Sequence, residues 1–207
     1  MRIYPNLRPA LGALAVALIV ANVAEAQRPS PPGAHHAIPD FRIRVPGGRW
    51  MVDRDATGGH ITLVEQLMGG ERNVIEVRVR PVSGDDAVGT PLEVAQRLRD
   101  AERQSLEARA RATGWRLEAA VADTVIGCRQ LSGVRWRLSP SGVRRSQRRE
   151  DGVVYFYTPP DYRSLGRAVE LRWQSAVPVA GEPRPLDPFY LVIESLERTT
   201  PATGIVC

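Results

Sequence analysis

The sequence predicts an α+β fold, a curved antiparallel sheet packed with one long helix and a carboxy-terminal helix. Three observations predict it. Apolar and polar residues alternate with period two from Phe41 and again through much of 115–177. A capped, charged helix signature opens at Thr90, and Leu186, Phe189, Ile193 and Leu196 recur at helical spacing near the end. The chain has 207 residues, 43% of them apolar, 25% charged and 6% aromatic. That balance suits one ordinary folded domain and argues against a disordered, collagen-like or cysteine-stapled chain.

The first segment reads as an export signal. Arg2 and Arg8 give a positive start, Leu11 to Val23 is an apolar run, and Ala24-Glu25-Ala26 supplies the small residues that a signal peptidase reads, so cleavage is expected after Ala26. The run is shorter than the roughly 20 residues that span a bilayer. A retained membrane anchor is the alternative. No cysteine lies beside the cut for lipid attachment, so a periplasmic or secreted protein without a stable membrane anchor is expected. Cleavage removes Arg2, Arg8 and Glu25, which lowers the formal charge of +5 by one. Every basic residue is Arg, and the small excess is dispersed among acids. It lacks the concentrated basic stripe of a nucleic-acid binder, and no nucleic-acid partner is expected.

Residues 27–40 are rich in Pro and read as an extended linker. His35 and His36 lie there, but two adjacent histidines fall short of the three or four donors of a zinc site, so no metal is expected. Phe41, Ile43 and Val45 alternate with Arg42 and Arg44 in a first strand. Pro46-Gly47-Gly48 turns the chain toward Trp50 and Val52. Ile61 to Leu67 and Val74 to Val82 form the next strands, joined through a Gly69-Gly70 turn.

Thr90-Pro91-Leu92-Glu93 is a capping box with Pro at the first helical position, and Gly114 is the expected stop. Val94, Leu98, Ala101, Ser105, Ala108 and Ala112 share the expected buried face. Glu93 with Arg97 and Glu107 with Arg111 are the expected exposed pairs. A meander of strands then follows over 115–125, 129–138, 143–149, 153–158 and 168–177, with Ser139-Pro140-Ser141-Gly142, Asp151-Gly152 and Pro159-Pro160 read as turns. Val134, Trp136 and Leu138 form one face of their strand, as Val169, Leu171 and Trp173 do of theirs. Residues 199–207 read as a tail.

Several of these residues together resemble the PsbP-like domain family: Phe41 to Pro46 with Trp50 behind it, the capped helix, the run Tyr155 to Tyr162 and the ending Ile193 to Leu196. The resemblance covers about residues 41–198. It implies a binding or docking module without a catalytic centre, and so a non-catalytic binding or assembly role with a protein partner in the cell envelope. It carries no ligand residues onto numbered positions.

Two other readings stand beside this one. A hydrolase or transferase would need His60, which is the one histidine beyond the linker, with a nearby acid or serine. Ser139 and Ser141 lie in turn chemistry without the spacing of a nucleophile elbow, and no P-loop, dinucleotide or metal-helix motif appears, so no cofactor is expected. An anion-binding protein would use Arg135, Arg137, Arg144, Arg145, Arg148, Arg149 and Arg172, which could line one sheet face and offer planar forks to carboxylates or phosphates. A solvated face balanced by Glu150, Asp151 and Glu170 is the plainer account of the same residues.

The two cysteines, Cys128 and Cys207, are expected to pair after export into an oxidising compartment. The alternative is a small buried Cys128 and a terminal thiol at Cys207. A bridge would close a loop of about 80 residues, for which chain entropy gives an upper value of about 4 to 5 kcal/mol. Thiol titration of the unfolded, unreduced protein should find no free thiol; two per chain would refute the bridge.

Overall fold

A computed structural model describes residues 30–67, 71–142 and 148–199 of the protein. The expected signal segment, the Gly69-Gly70 turn, Arg144, Arg145 and Cys207 lie outside the described residues. The fold is α+β. Its strands are β1 (His35–Ile38), β2 (Phe41–Arg44), β3 (Trp50–Arg54), β4 (His60–Gln66), β5 (Arg72–Pro81), β6 (Arg116–Val121), β7 (Thr124–Ile126), β8 (Arg129–Ser139), β9 (Arg148–Tyr157), β10 (Arg167–Pro178) and β11 (Glu197–Arg198). The helices are α1 (Pro91–Thr113), α2 (Tyr162–Leu165) and α3 (Asp187–Glu194).

The large sheet runs β3-β4-β5-β10-β9-β8-β6, with β7 also paired to β8, and its described pairings are antiparallel. A small sheet, β1-β2-β11, stands apart. Residues paired across a ladder share a face. Val134 pairs with Val154, and Val154 with Arg172, so these three look the same way. That face carries α1, which buries Leu106 and Ala110 against Trp136, Leu138 and Phe156. The opposite face buries Leu63, Ile75 and Leu171 beneath Phe41 and Ile43 of β2 and Phe189 and Ile193 of α3. Each face is thus covered by a different layer.

The expected linker is part of the fold where it is described. Ile38 is buried, and β1 pairs with β2 from His35 opposite Arg44 to Ile38 opposite Phe41, around a turn at Pro39 and Asp40, where Asp40 has φ 65. A Pro-rich composition hid a strand of four residues whose partner begins three residues later. Asp151-Gly152 is no turn either. Both residues lie inside β9, where a Cβ on Gly152 would come within 2.2 Å of the Trp136 ring. Glycine is there to admit an indole. Expected strand 115–125 breaks at Ala122-Asp123 into β6 and β7.

Helix α1 starts and stops as its caps dictate. Thr90 accepts from the Glu93 amide at 3.3 Å, Glu93 accepts from the Thr90 amide at 2.7 Å, and Gly114 closes the helix in the left-handed region at φ 66. Its buried row differs from the expected one. Val94, Ala95, Leu106 and Ala110 are buried, whereas Ala101, Ser105, Ala108 and Ala112 face solvent. The row steps by four residues, from Val94 through Leu98 and Glu102 to Leu106 and Ala110. Glu102 turns inward because Arg172 meets it at 3.0 Å. The expected exposed pairs also change: Glu107 takes Arg103, and Arg97 donates to the carbonyls of Asp86 and Val88.

Arg172 is the hub beneath the helix. It pairs with Glu170 at 2.9 Å and lies 5.5 Å from the Trp136 ring centre, while Arg80 holds the other Glu170 oxygen at 3.1 Å. Burial works against its charge, but Glu102 and Glu170 outweigh that and hold its pKa above the ordinary arginine value. Removing one member of such a cluster strands the others. Arg172→Met should lower stability in urea unfolding by about 3 kcal/mol, whereas an unchanged midpoint would show that the cluster contributes nothing.

Candidate functional site

The expected arginine face is divided by the sheet itself. Arg135 pairs in register with Val153, and Arg137 with Asp151, so both look away from α1. Arg172 looks toward α1 and is enclosed there. Arg149 lies on the same side as Arg137 but is buried, with its guanidinium on both oxygens of Asp151 at 3.0 and 3.2 Å and on the Val179 carbonyl at 2.6 Å. Arg148 is exposed on the side of α1. Strand alternation puts residues 148 and 149 on opposite faces, and the observed register does the same for 135 and 172. The five described arginines of the seven therefore form no single surface.

Three concave features lie on the side away from α1. The first is a cleft of about 400 Å³ above β6, β8, β9 and β10, roofed by the loop after β10. Arg135, Arg137 and Trp173 line it, with Leu186 and Arg184 from the roof. Arg137 pairs with Asp151 at 2.9 Å, and both that pairing and Glu118 hold its pKa above the usual value. Arg135 makes no ion pair with any described residue.

The second is a depression of about 540 Å³ between β7 and α3. Val125 and Leu191 line it and are 62% and 52% exposed. Tyr190 forms part of its wall, and Asp187 and Glu194 stand on it without an ion pair among the described residues. Leu191 and Glu194 also line an adjoining depression of about 400 Å³ with Arg44 and Ser195, so Leu191 stands on the ridge between two hollows.

The wall of this region is rigid for identifiable reasons. Tyr155 stacks on Phe189 at 6.0 Å, and its phenol, buried and hydrogen-bonded to Tyr190, is pushed up to about 12. Phe189, Val192 and Ile193 bury the inner stripe of α3, which leaves Leu191 on its outer side. Val125 is presented by the break between β6 and β7. Asp123 holds that break by accepting from Ser132 Oγ at 2.7 Å, from the Gly133 amide at 3.1 Å and from Arg99 at 3.0 Å. Burial alone would raise its pKa, but those three donors outweigh burial and hold it below 3.8.

Neither Val125 nor Leu191 stood out in the sequence, although a leucine off the Phe189–Ile193 stripe was a signal that could have found the second. His60 opens β4 and is half-buried, with Nε2 3.4 Å from Thr62 Oγ1 and its amide donating to Asp55. It lines none of the three hollows. Ser141 donates to the Gly114 carbonyl, joining the segment after β8 to the end of α1. His36 takes Arg54 on Nδ1 and lies 3.0 Å from Ser30 on Nε2, and no cluster of metal-binding side chains occurs among the described residues. Cys128 is exposed in the turn between β7 and β8, beside Gly127 of the second depression, which removes the reading of a buried apolar cysteine. Its expected partner, Cys207, is outside the described residues.

No known family model matches the chain, and no curated protein does. Among solved structures, cyanobacterial PsbP (CyanoP) from Synechocystis sp. PCC 6803, determined in solution, is similar at 11% sequence identity and a TM-score of 0.42, over 77% of this chain and 86% of that one.

The state of Asp123 links this region to pH. Its native pKa lies below the unfolded value, so its contribution is complete above the unfolded pKa and is lost as pH falls through the lowered native one. Asp123→Asn should cost about 1 kcal/mol at neutral pH, a modest figure because the site is partly exposed, and the gap from wild type should close below about pH 4. Urea midpoints measured across that range check it; a gap that widens on acidification would refute the assignment.

Proposed function

We propose that the protein is an exported, non-catalytic binding or assembly module of the cell envelope, periplasmic or secreted, which docks a protein partner on the surface formed by β7 and α3. The observation that carries this reading is the adjacent exposure of Val125 and Leu191 on a concave surface whose flanking carboxylates make no ion pair with a described residue. Scattered exposed apolar residues need no account, but two that line one hollow are a candidate contact centre. Asp187 and Glu194 select the partner's chemistry. The complementary surface carries an apolar side chain for the hollow and basic groups for its rim.

The export segment and the resemblance to PsbP-like domains support the compartment and the assembly role. No helix among the described residues is long and apolar enough to cross a membrane. The hydrolase reading loses support because His60 lines none of the three hollows.

Site-specific photocross-linking in the native host tests the surface. A photoreactive phenylalanine at position 191 should yield a discrete protein adduct, and the same group at Gln104, on the exposed side of α1, should not. Asp187→Asn with Glu194→Gln should reduce the adduct several-fold, and added salt should do the same, since charges separated by about 10 Å are screened at 0.1 M. Equal adducts from both positions, or an adduct indifferent to the carboxylates, would overturn the reading.

A further inference from the structure

The cleft above β6, β8, β9 and β10 is separate from the docking surface and has a different chemistry. Its roof is tied at two points: Arg149 of β9 holds the Val179 carbonyl at 2.6 Å, and Arg184 pairs with Glu71. The space is therefore built into the fold and does not depend on a ligand to form it. Its volume, about 400 Å³, falls within the range of small-molecule clefts.

The charges in the cleft are almost all committed. Arg137 belongs to Asp151, Arg184 to Glu71, and Glu118 to Arg116 at 3.2 Å. Arg135 alone among the lining cations has no ion pair with a described residue. Beside it the lining is apolar: Ala120 from β6, Leu186 from the roof, and the edges of the buried Val153 and Trp173. An uncommitted guanidinium on the wall of an apolar hollow matches a ligand with one carboxylate and an apolar body. Glu118 and Asp151, on the same wall, repel a second negative charge, which excludes polyanions.

We infer that this cleft binds a small apolar monocarboxylate, with Arg135 holding the carboxylate and Ala120 and Leu186, with the edge of Trp173, receiving the apolar body. The arrangement does not require the docking surface to act.

Hydrocinnamate, its uncharged amide and inorganic phosphate are the probes, titrated into the full chain by calorimetry with the indole N–H resonances followed by NMR. Hydrocinnamate should bind once per chain and shift the Trp173 indole resonance. The amide should bind about tenfold or more weakly, and Arg135→Gln should weaken hydrocinnamate by a similar factor, because a charge-assisted contact is lost in each case. Arg135 makes no ion pair that folding depends on, and an unchanged urea midpoint will show that the variant is folded. Ala120→Trp fills the hollow while leaving Arg135 in place, and it should abolish binding. The proposal is overturned if hydrocinnamate fails to bind at millimolar concentration, if the amide binds equally, if Arg135→Gln is indifferent, or if phosphate competes as well as hydrocinnamate does.

Discussion

The rest of the structure depends on the contact between Arg172 and its carboxylates beneath α1. Glu102 from the helix, Glu170 from the same strand and the Trp136 ring enclose one guanidinium. Removing these charges from water is costly, and the cost is recovered only if the partners keep their geometry. That requirement sets the register of β10 against β9 and the rotation of α1 about its axis together. A helix turned by one residue would bring Arg103 or Ala101 to the hub and leave Arg172 facing an apolar or like-charged neighbour.

With that face occupied by the helix, the three hollows described lie on the other one. Small strands β1, β2 and β11 together with α3 cover only part of it, since Phe41, Ile43, Phe189 and Ile193 pack over the part formed by β4, β5 and β10. At the margin of that layer, above β6 and β8 and between β7 and α3, the cover is incomplete. The cleft with Arg135 and the hollow with Val125 and Leu191 lie there. The cleft with Arg135 is roofed by a loop, and the hollow with Val125 and Leu191 is open, so one suits a small ligand and the other a protein surface.

The arginines illustrate how far a sequence pattern carries. Alternation correctly separates Arg135 and Arg137 from Val134 and Trp136, because neighbours along a strand must point oppositely. It says nothing about which face of β8 matches which face of β10. The observed pairing, Val134 with Val154 and Val154 with Arg172, places Arg172 with the apolar residues of β8 and away from its arginines. Gly152 shows the same limit from the other side: beside Asp151 it resembles a turn, and only the Trp136 ring over it explains why glycine stands inside a strand.

By itself the sequence determined what is encoded within a few residues: the capping box at Thr90 and Glu93, the stop at Gly114, the alternating strands, the inner stripe of α3 and so the α+β class. Those signals are local, because hydrogen bonds at helix ends and the two-residue period of a strand involve near neighbours. Tertiary structure alone decided which apolar rows meet, why Glu102 turns inward, why β1 forms within a Pro-rich segment, and which arginine of the cleft makes no ion pair with a described residue. Each of these depends on a partner brought close by folding, as Glu102 meets Arg172 and Arg149 meets Val179. A side chain's pairing energy is set by that partner and by the water displaced between them, and neither is written in the residues beside it.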